Sequence, residues 1–316
     1  MNKTILLGFL LFAPLLWAEK FTLPVFPDTQ CAVNRNNDLF TSQVQWIAAN
    51  RRALNIPFVL HVGDIVDWDT PDHRMWKNAS DGFAVLDKAG IPYALAVGNH
   101  DGGAVGPGGS AAPGNVRANL RVTTEFNAFF PVSRFTAQRG RFAEGRSDNA
   151  WYTFKAGGLD WLVLTLEFCA RQQPVDWAKT VLADHPADNV IVLTHFHLTS
   201  KGEISQRNAG YGDLSPQQVY DQLIKPSANV LLVVSGHVDS SASREDKGEK
   251  GNIIYQILQD YQTTDNGGGY LRLLEVDTSA RTISARMYSP HYDLTKTDAS
   301  RFSFSGVTFV AAAPAK

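Results

Sequence analysis

Five short polar clusters, each set beside an apolar, strand-like run, constrain what this chain can fold into more than any other feature. They are Asp28-Thr29-Gln30, Gly63-Asp64-Ile65-Val66-Asp67, Gly98-Asn99-His100-Asp101, Thr194-His195 and Gly236-His237-Val238-Asp239. Residues 58–62, 93–97, 190–193 and 230–234 are short, continuously apolar runs, the pattern of strands buried on both faces. Open α/β sheets gather ligands at the carboxyl edge of such strands. Parallel strands would therefore bring Asp28, Asp64, Asn99, His195 and His237 to one rim although they lie far apart in sequence. Carboxylate, amide and imidazole groups in that number can hold two divalent metals side by side, with one carboxylate bridging them. Asp64 suits the bridge, because Gly63 before it lets backbone and metal approach closely.

The rest of the chain fits that scaffold. Phe40, Val44, Ile47 and Ala48 recur at helical spacing. Thr70-Pro71 and Ser215-Pro216 each predict a helix start with proline in the first turn. After residue 250 the texture becomes β only, with strands expected over 253–258, 270–276 and 282–288. Residues 151–155 and 159–166, separated by Gly157-Gly158, predict a hairpin. Strand–helix alternation followed by antiparallel strands predicts two packed sheets with helices outside, and no linker divides the chain. Residues 102–114 hold six glycines and two prolines. They read either as a mobile lid leaving the Asn99-His100-Asp101 cluster or as a plain surface insertion. Lacking a Gly-Lys-Ser/Thr ending, they are not a nucleotide phosphate loop.

Bulk properties bound the function. A positive start, an apolar stretch over residues 5–17 and Ala18 before Glu19-Lys20 read as a cleaved signal peptide, residues 1–18. Leu16 matches the cleavage rule poorly, and an uncleaved anchor is the alternative. The expected product is a 19–316 domain, exported and without a later membrane span. Removing residues 1–18 takes away Lys3 and moves the net charge from −2 to −3. That excludes a general nucleic-acid binder, which would be strongly basic. Cys31 and Cys169 admit a disulfide, worth up to about 4–5 kcal/mol for so long a loop. Two buried thiols are an equal expectation, with Cys31 as a soft metal ligand a weaker third.

Taken singly the clusters say little; all five in order are specific, and Gly98-Asn99-His100-Asp101 is the rarest. The series resembles the calcineurin-like metallophosphoesterase superfamily, whose pattern runs Asp-x-His, Gly-Asp-x-x-Asp, Gly-Asn-His-Asp/Glu, a lone His and Gly-His-x-His. The Pro27-Asp28-Thr29-Gln30 opening, residues 166–171, Asp260-Tyr261-Gln262, residues 269–272 and residues 288–290 resemble a bacterial exported branch of it. The resemblance implies an α/β fold, a β-sandwich of two mixed sheets flanked by helices in four αββα layers. It also implies a periplasmic or extracellular enzyme that cleaves a small-molecule or polymeric phosphate mono- or diester by in-line attack of metal-held hydroxide. By motif, Asp28 binds the first metal, Asp64 bridges, and Asn99, His195 and His237 complete the second. His100 serves the leaving group, Asp101 holds its other ring nitrogen, and Asp67 orients the loop.

Two family histidines are absent: Gln30 stands at one position and Asp239 at the other. Both fall on the first metal, whose expected ligands become Asp28, Asp64, Asp239, water and the Gln30 amide. Oxygen donors suit Mg²⁺, Ca²⁺ or Mn²⁺, whereas imidazole suits zinc and iron; a harder ion is thus expected at the Asp28/Gln30/Asp239 position. The same losses motivate a second reading, a catalytically weak binding protein that keeps the scaffold. His197 is read as a core or surface residue within reach of substrate, His61 as a satisfied core residue and His185 as a helix C-terminal residue. Arg171 and Arg272 are read as internal salt-bridge residues more than phosphate grips.

Overall fold

Alternation of side chains along the apolar runs decides the architecture. In strand Leu159–Leu166, Trp161 and Val163 join one hydrophobic cluster while Leu162, Leu164 and Leu166 join another. Asn189–Thr194 and Val230–Ser235 divide the same way, Ile191, Leu193, Leu232 and Val234 against Val190, Val192 and Val233. Residues of opposite parity point to opposite faces, so these strands have no solvent face. The computed structural model describes residues 20–311; the expected signal peptide lies outside the described residues.

Two seven-stranded mixed sheets result. In the first, Lys20–Phe26 lies at the centre, parallel to Val59–His61 and antiparallel to Leu271–Asp277. Tyr93–Leu95 extends it on one side and Thr282–Ser289 on the other. In the second, Leu159–Leu166, Asn189–Thr194, Val230–Ser235 and Ile253–Asp260 run parallel. Ala150–Ala156 pairs with Leu159–Leu166 as the predicted hairpin. Phe21, whose ring meets Trp161 at 5.4 Å, joins the two sheets face to face.

Helices cover the outer faces. Asn37–Asn50 and Arg74–Ala89 lay Phe40 and Phe83 on Phe26 of the first sheet, and Gln172–Asp184 packs Val175, Ala178 and Leu182 on the second. The α/β sandwich expected from the resemblance is present. One helix starts later than expected, at Arg74 and not at Pro71. Thr70 Oγ1 and an Asp72 carboxylate oxygen both accept the Arg74 N–H, closing a turn that delays it. The glycine-rich stretch forms a small hairpin, Val105–Gly106 with Ser110–Ala111, where the surface insertion had been the alternative to a lid.

Candidate metal centre

All five clusters meet at the ends of their strands. Val62, Gly63 and Asp64 follow Val59–His61, and Asn99 to Asp101 follow Tyr93–Leu95. His195 follows Asn189–Thr194, and His237 follows Val230–Ser235. Parallel pairing puts these ends on one rim. Two glycines permit the close approach. A Cβ on Gly98 would fall 2.0 Å from Asp64 Oδ1, and one on Gly236 would fall 2.1 Å from Asp28 Oδ1. Asp64 and His237 hold φ of +52° and +70°, a left-handed backbone rare for non-glycine residues and typical of functional sites.

Asp64, His195 and His237 each offer a ligand atom within 4.8 Å of the others. His195 Nε2 lies 3.2 Å from Asp64 Oδ2 and 3.9 Å from Asp28 Oδ2. Its Nδ1 faces the Val62 carbonyl at 2.9 Å; a carbonyl only accepts, so Nδ1 carries a proton. Burial opposes charge on the ring, but Asp64 raises its pKa overall, and Nε2, on the Asp64 side, is the atom that would turn to a metal on losing its proton. That orienting bond is the usual companion of a metal-ligating imidazole. His195 Nε2 and Asn99 Oδ1 are both buried without a hydrogen-bond partner. Unpartnered atoms occur elsewhere among the described residues, Trp76 Nε1 and Asn252 Oδ1 for example, but here they coincide with carboxylate, amide and imidazole donors, a set that fits a divalent cation. Among the described residues a second group, Asp69, His73 and Glu125, also clusters, but at the surface and as ion pairs.

Electrostatics fit the same reading. Asp28, Asp64, Asp101 and Asp260 are none of them more than 2 % exposed. Burial opposes charge on Asp64, yet the His195 and His100 rings hold its carboxyl below the usual range. Burial, then repulsion from Asp260 and Asp64, raises Asp28 well above it. Burial pushes His237 down to about 3, among the Phe168, Phe196 and Tyr211 rings; neutral imidazole is the metal-binding form.

His100 is held by Asp67 and not by Asp101. Its Nδ1 donates to the Asp67 carbonyl at 2.6 Å, and the Asp67 carboxylate lies 3.4 Å away. Asp101 instead accepts the Ile65, Val66 and Gly98 N–H groups. The role expected for Asp101 is therefore corrected: three backbone donors already claim its oxygens, and it clamps two metal-bearing loops together. Asp239 is corrected too. It is exposed and its carboxylate engages the Thr263 hydroxyl, because the left-handed turn at His237 carries the chain outward. Gln30 is buried with Oε1 unpartnered.

The remaining candidates are structural. His61 accepts the Gly63 N–H at Nδ1 and meets Thr29 Oγ1 through Nε2 at 2.9 Å. His197 Nε2 meets Gln256 Oε1, and His185 caps the helix Gln172–Asp184. Arg171 pairs with Glu167, and buried Arg272 binds Gln259, Ser300, Ser241 and Tyr261. Cys31 and Cys169 are buried free thiols, raised by burial to about 11 and about 12. No disulfide joins them, and a thiol so protonated is a poor ligand. Beside His100 opens a cavity of about 330 Å³, lined by Trp76, Val122, Thr124 and Glu125 among others. A shallower cleft of about 620 Å³ holds Arg117, Arg121 and Arg171, with Asp213 and Glu167 paired to them.

Residues 25–240 match the family model of the calcineurin-like phosphoesterases. The chain belongs to that family. A solved dimetal phosphatase from Danio rerio superimposes with a TM-score of 0.54 at 15% identity, covering 87% of this chain and 98% of that one. GAP50, the anchor in the inner membrane complex of Plasmodium, gives 0.51 at 11% identity, covering 90% and 88%. The uncharacterized protein YvnB of Bacillus subtilis (strain 168) is 31% identical over 281 residues, 86% of this chain. The chain spans 20% of that relative's length. Two contributors at the rim escaped the sequence reading: Asp67 as the His100 anchor, and Asp260. A polar end after the apolar run 253–258 is the same signal that marked the other clusters.

Proposed function

We propose that this calcineurin-like phosphoesterase is an exported enzyme that hydrolyses a phosphate mono- or diester with two divalent metals. One observation carries it: buried Asp64 and His195 and half-buried His237 converge, with Asn99 Oδ1 buried and unpartnered and an anchored imidazole beside them. Asp28, Asp64, Asn99, His195 and His237 would hold the metals. Two divalent ions there supply an activated water nucleophile and neutralise charge growing on the phosphoryl oxygens.

The chain's own residues do the rest. The His237 N–H groups Asp28 at 3.1 Å and the His100 N–H fixes Asp64 at 2.9 Å, so the carboxylates are set before substrate arrives. His100 donates its Nδ1–H in a hydrogen bond to the Asp67 carbonyl, leaving its Nε2–H to protonate the departing oxygen. Burial opposes charge on this ring, but Asp64 and the Asp67 bonds outweigh it and carry it up to about 9. The cavity beside His100 takes the leaving group.

A monoester and a diester of an aryl alcohol, assayed with Mn²⁺ or Mg²⁺, test the reading. Turnover of one of them, abolished by chelator and restored by metal, is expected; no turnover with any metal overturns it. Export rests on residues 1–18 and on the absence, among the described residues, of a helix long and apolar enough to cross a membrane. The N-terminal sequence of the exported protein should begin at Glu19.

A further inference from the structure

Two family histidines are absent from the first metal position, and Asp239, at one of those places, is exposed with its carboxylate on the Thr263 hydroxyl. A different carboxylate stands there. Asp260 ends strand Ile253–Asp260 and is fully buried. Its Oδ1 accepts the Gln262 N–H at 3.0 Å, while Oδ2 has no hydrogen-bond partner. The strand is parallel to Val230–Ser235 with Leu258 opposite Ser235. Asp260, still laddered to Ser240, and His237, just beyond its strand, are each two residues past that pair and so stand at the same end of the sheet. Gln259 Nε2 donates to the Val25 carbonyl at 3.1 Å, tying this strand end to the strand that leads into Asp28. Gln30 Oε1 is a second buried, unpartnered oxygen in the same chain segment as Asp28.

A buried carboxylate oxygen beside other carboxylates and without a donor is costly unless a cation takes it. We propose that Asp260 is a ligand of the first divalent metal, completing with Asp28, Asp64 and the Gln30 amide an all-oxygen position where the family pattern has histidines. The inference rests on the dimetal part of the reading above and not on hydrolysis. Oxygen-only coordination selects a hard cation, Mg²⁺, Ca²⁺ or Mn²⁺, at this position. Asp239, exposed and bound to Thr263, contributes nothing to it.

The test is metal binding by the full chain. Metal-stripped protein is titrated with Mn²⁺ by calorimetry, and retained metal is counted after gel filtration. Wild type should bind two equivalents. Asp260→Asn, nearly isosteric, should keep one at wild-type affinity and bind the other at least about tenfold more weakly. Asp239→Asn should match wild type at both. Two wild-type equivalents in Asp260→Asn overturn the assignment, as does a wild type that binds only one. Metal-free Asp260→Asn should also melt at or above metal-free wild type, since it sheds a buried charge, and should gain less on adding Mn²⁺. An equal gain counts against the assignment even if calorimetry fails. Two metals bound without phosphoester cleavage would sink the proposed function and leave Asp260 as a ligand. Cleavage with Asp260→Asn retaining both metals would do the reverse.

Discussion

At the scale of single residues, the site is built by close approach and by fixed tautomers. Asp64 can take its place at the rim only because nothing larger than glycine stands at position 98, where a Cβ would fall 2.0 Å from its Oδ1. Gly98→Ala should therefore displace Asp64 and lower metal content below that of wild type while the protein remains folded, as elemental analysis and circular dichroism together would show. His100 is separate from the metal ligands. His100→Ala should lower turnover by about 10²–10⁴-fold, the usual share of a general acid, with retained metal unchanged. A loss of metal in that variant would mean that His100 supports the ligands and does not serve the leaving group. The Gly98-Asn99-His100-Asp101 cluster was legible as metal and proton chemistry. The partner of His100 was not, because the bond runs to a backbone carbonyl at Asp67, and backbone groups are alike in every sequence.

At the scale of elements, strands deliver the ligands and helix and loop contacts hold the strands in register. Glu167 follows strand Leu159–Leu166 and takes the Arg171 N–H and guanidinium, the Arg121 guanidinium and the Asn149 amide. It thereby ties that strand to the helix Gln172–Asp184. Burial opposes its charge, but Arg171 and Arg121 hold its carboxyl below the ordinary range. A depressed folded pKa adds stability above the unfolded value that is lost as pH falls through the folded one. Glu167→Gln should thus lower the melting temperature at neutral pH, and the gap from wild type should close in acid. Ser215 forms a capping box with Gln218 at the helix start that the Ser215-Pro216 dipeptide predicts. Ser215→Ala should cost about 1 kcal/mol in urea denaturation. The delayed start at Arg74 was less legible, since Thr70 and Asp72 compete with the helix for its first donor.

At the scale of the molecule, folding gathers more negative charge than the metal-free interior accommodates. Burial first raises Asp28, Asp101 and Asp260; repulsion from Asp260 and Asp64 adds to it at Asp28, from Asp64 at Asp101, and from Asp239 and Asp64 at Asp260, and Asp101 and Asp260 reach about 7. For an acid whose folded pKa is raised, stability is full below the unfolded value and is lost as pH rises through the folded one. Asp64, held low by His195 and His100, works in the opposite sense, on the acid side of its ordinary value. His61, His197 and His237, lowered by burial to about 3, about 4 and about 3, also work in the opposite sense below about pH 6.5. Metal-free protein should therefore lose melting temperature between about pH 6.5 and pH 8. Mn²⁺ should restore it most at pH 8, by about 2.7 kcal/mol per site at a hundredfold excess over Kd. Scanning calorimetry at both pH values, with and without metal, checks this; a metal gain independent of pH would refute it.

Sequence alone marked the strand runs, the family and the candidates Asp28, Asp64, Asn99, His195 and His237, because each is a local pattern, an apolar run followed by a ligand-type side chain; the helix Gln172–Asp184 and the strand Ser240–Lys247 carry no such marker. Tertiary structure alone decided which carboxylate stands beside Asp28. Asp239 lies two residues from a metal-cluster histidine yet turns to solvent, whereas Asp260, far along the chain, is buried at the rim. Proximity to a motif does not set the direction of a side chain. That direction depends on the backbone turn at His237 and on the pairing of Ile253–Asp260 with Val230–Ser235, both properties of the assembled sheet.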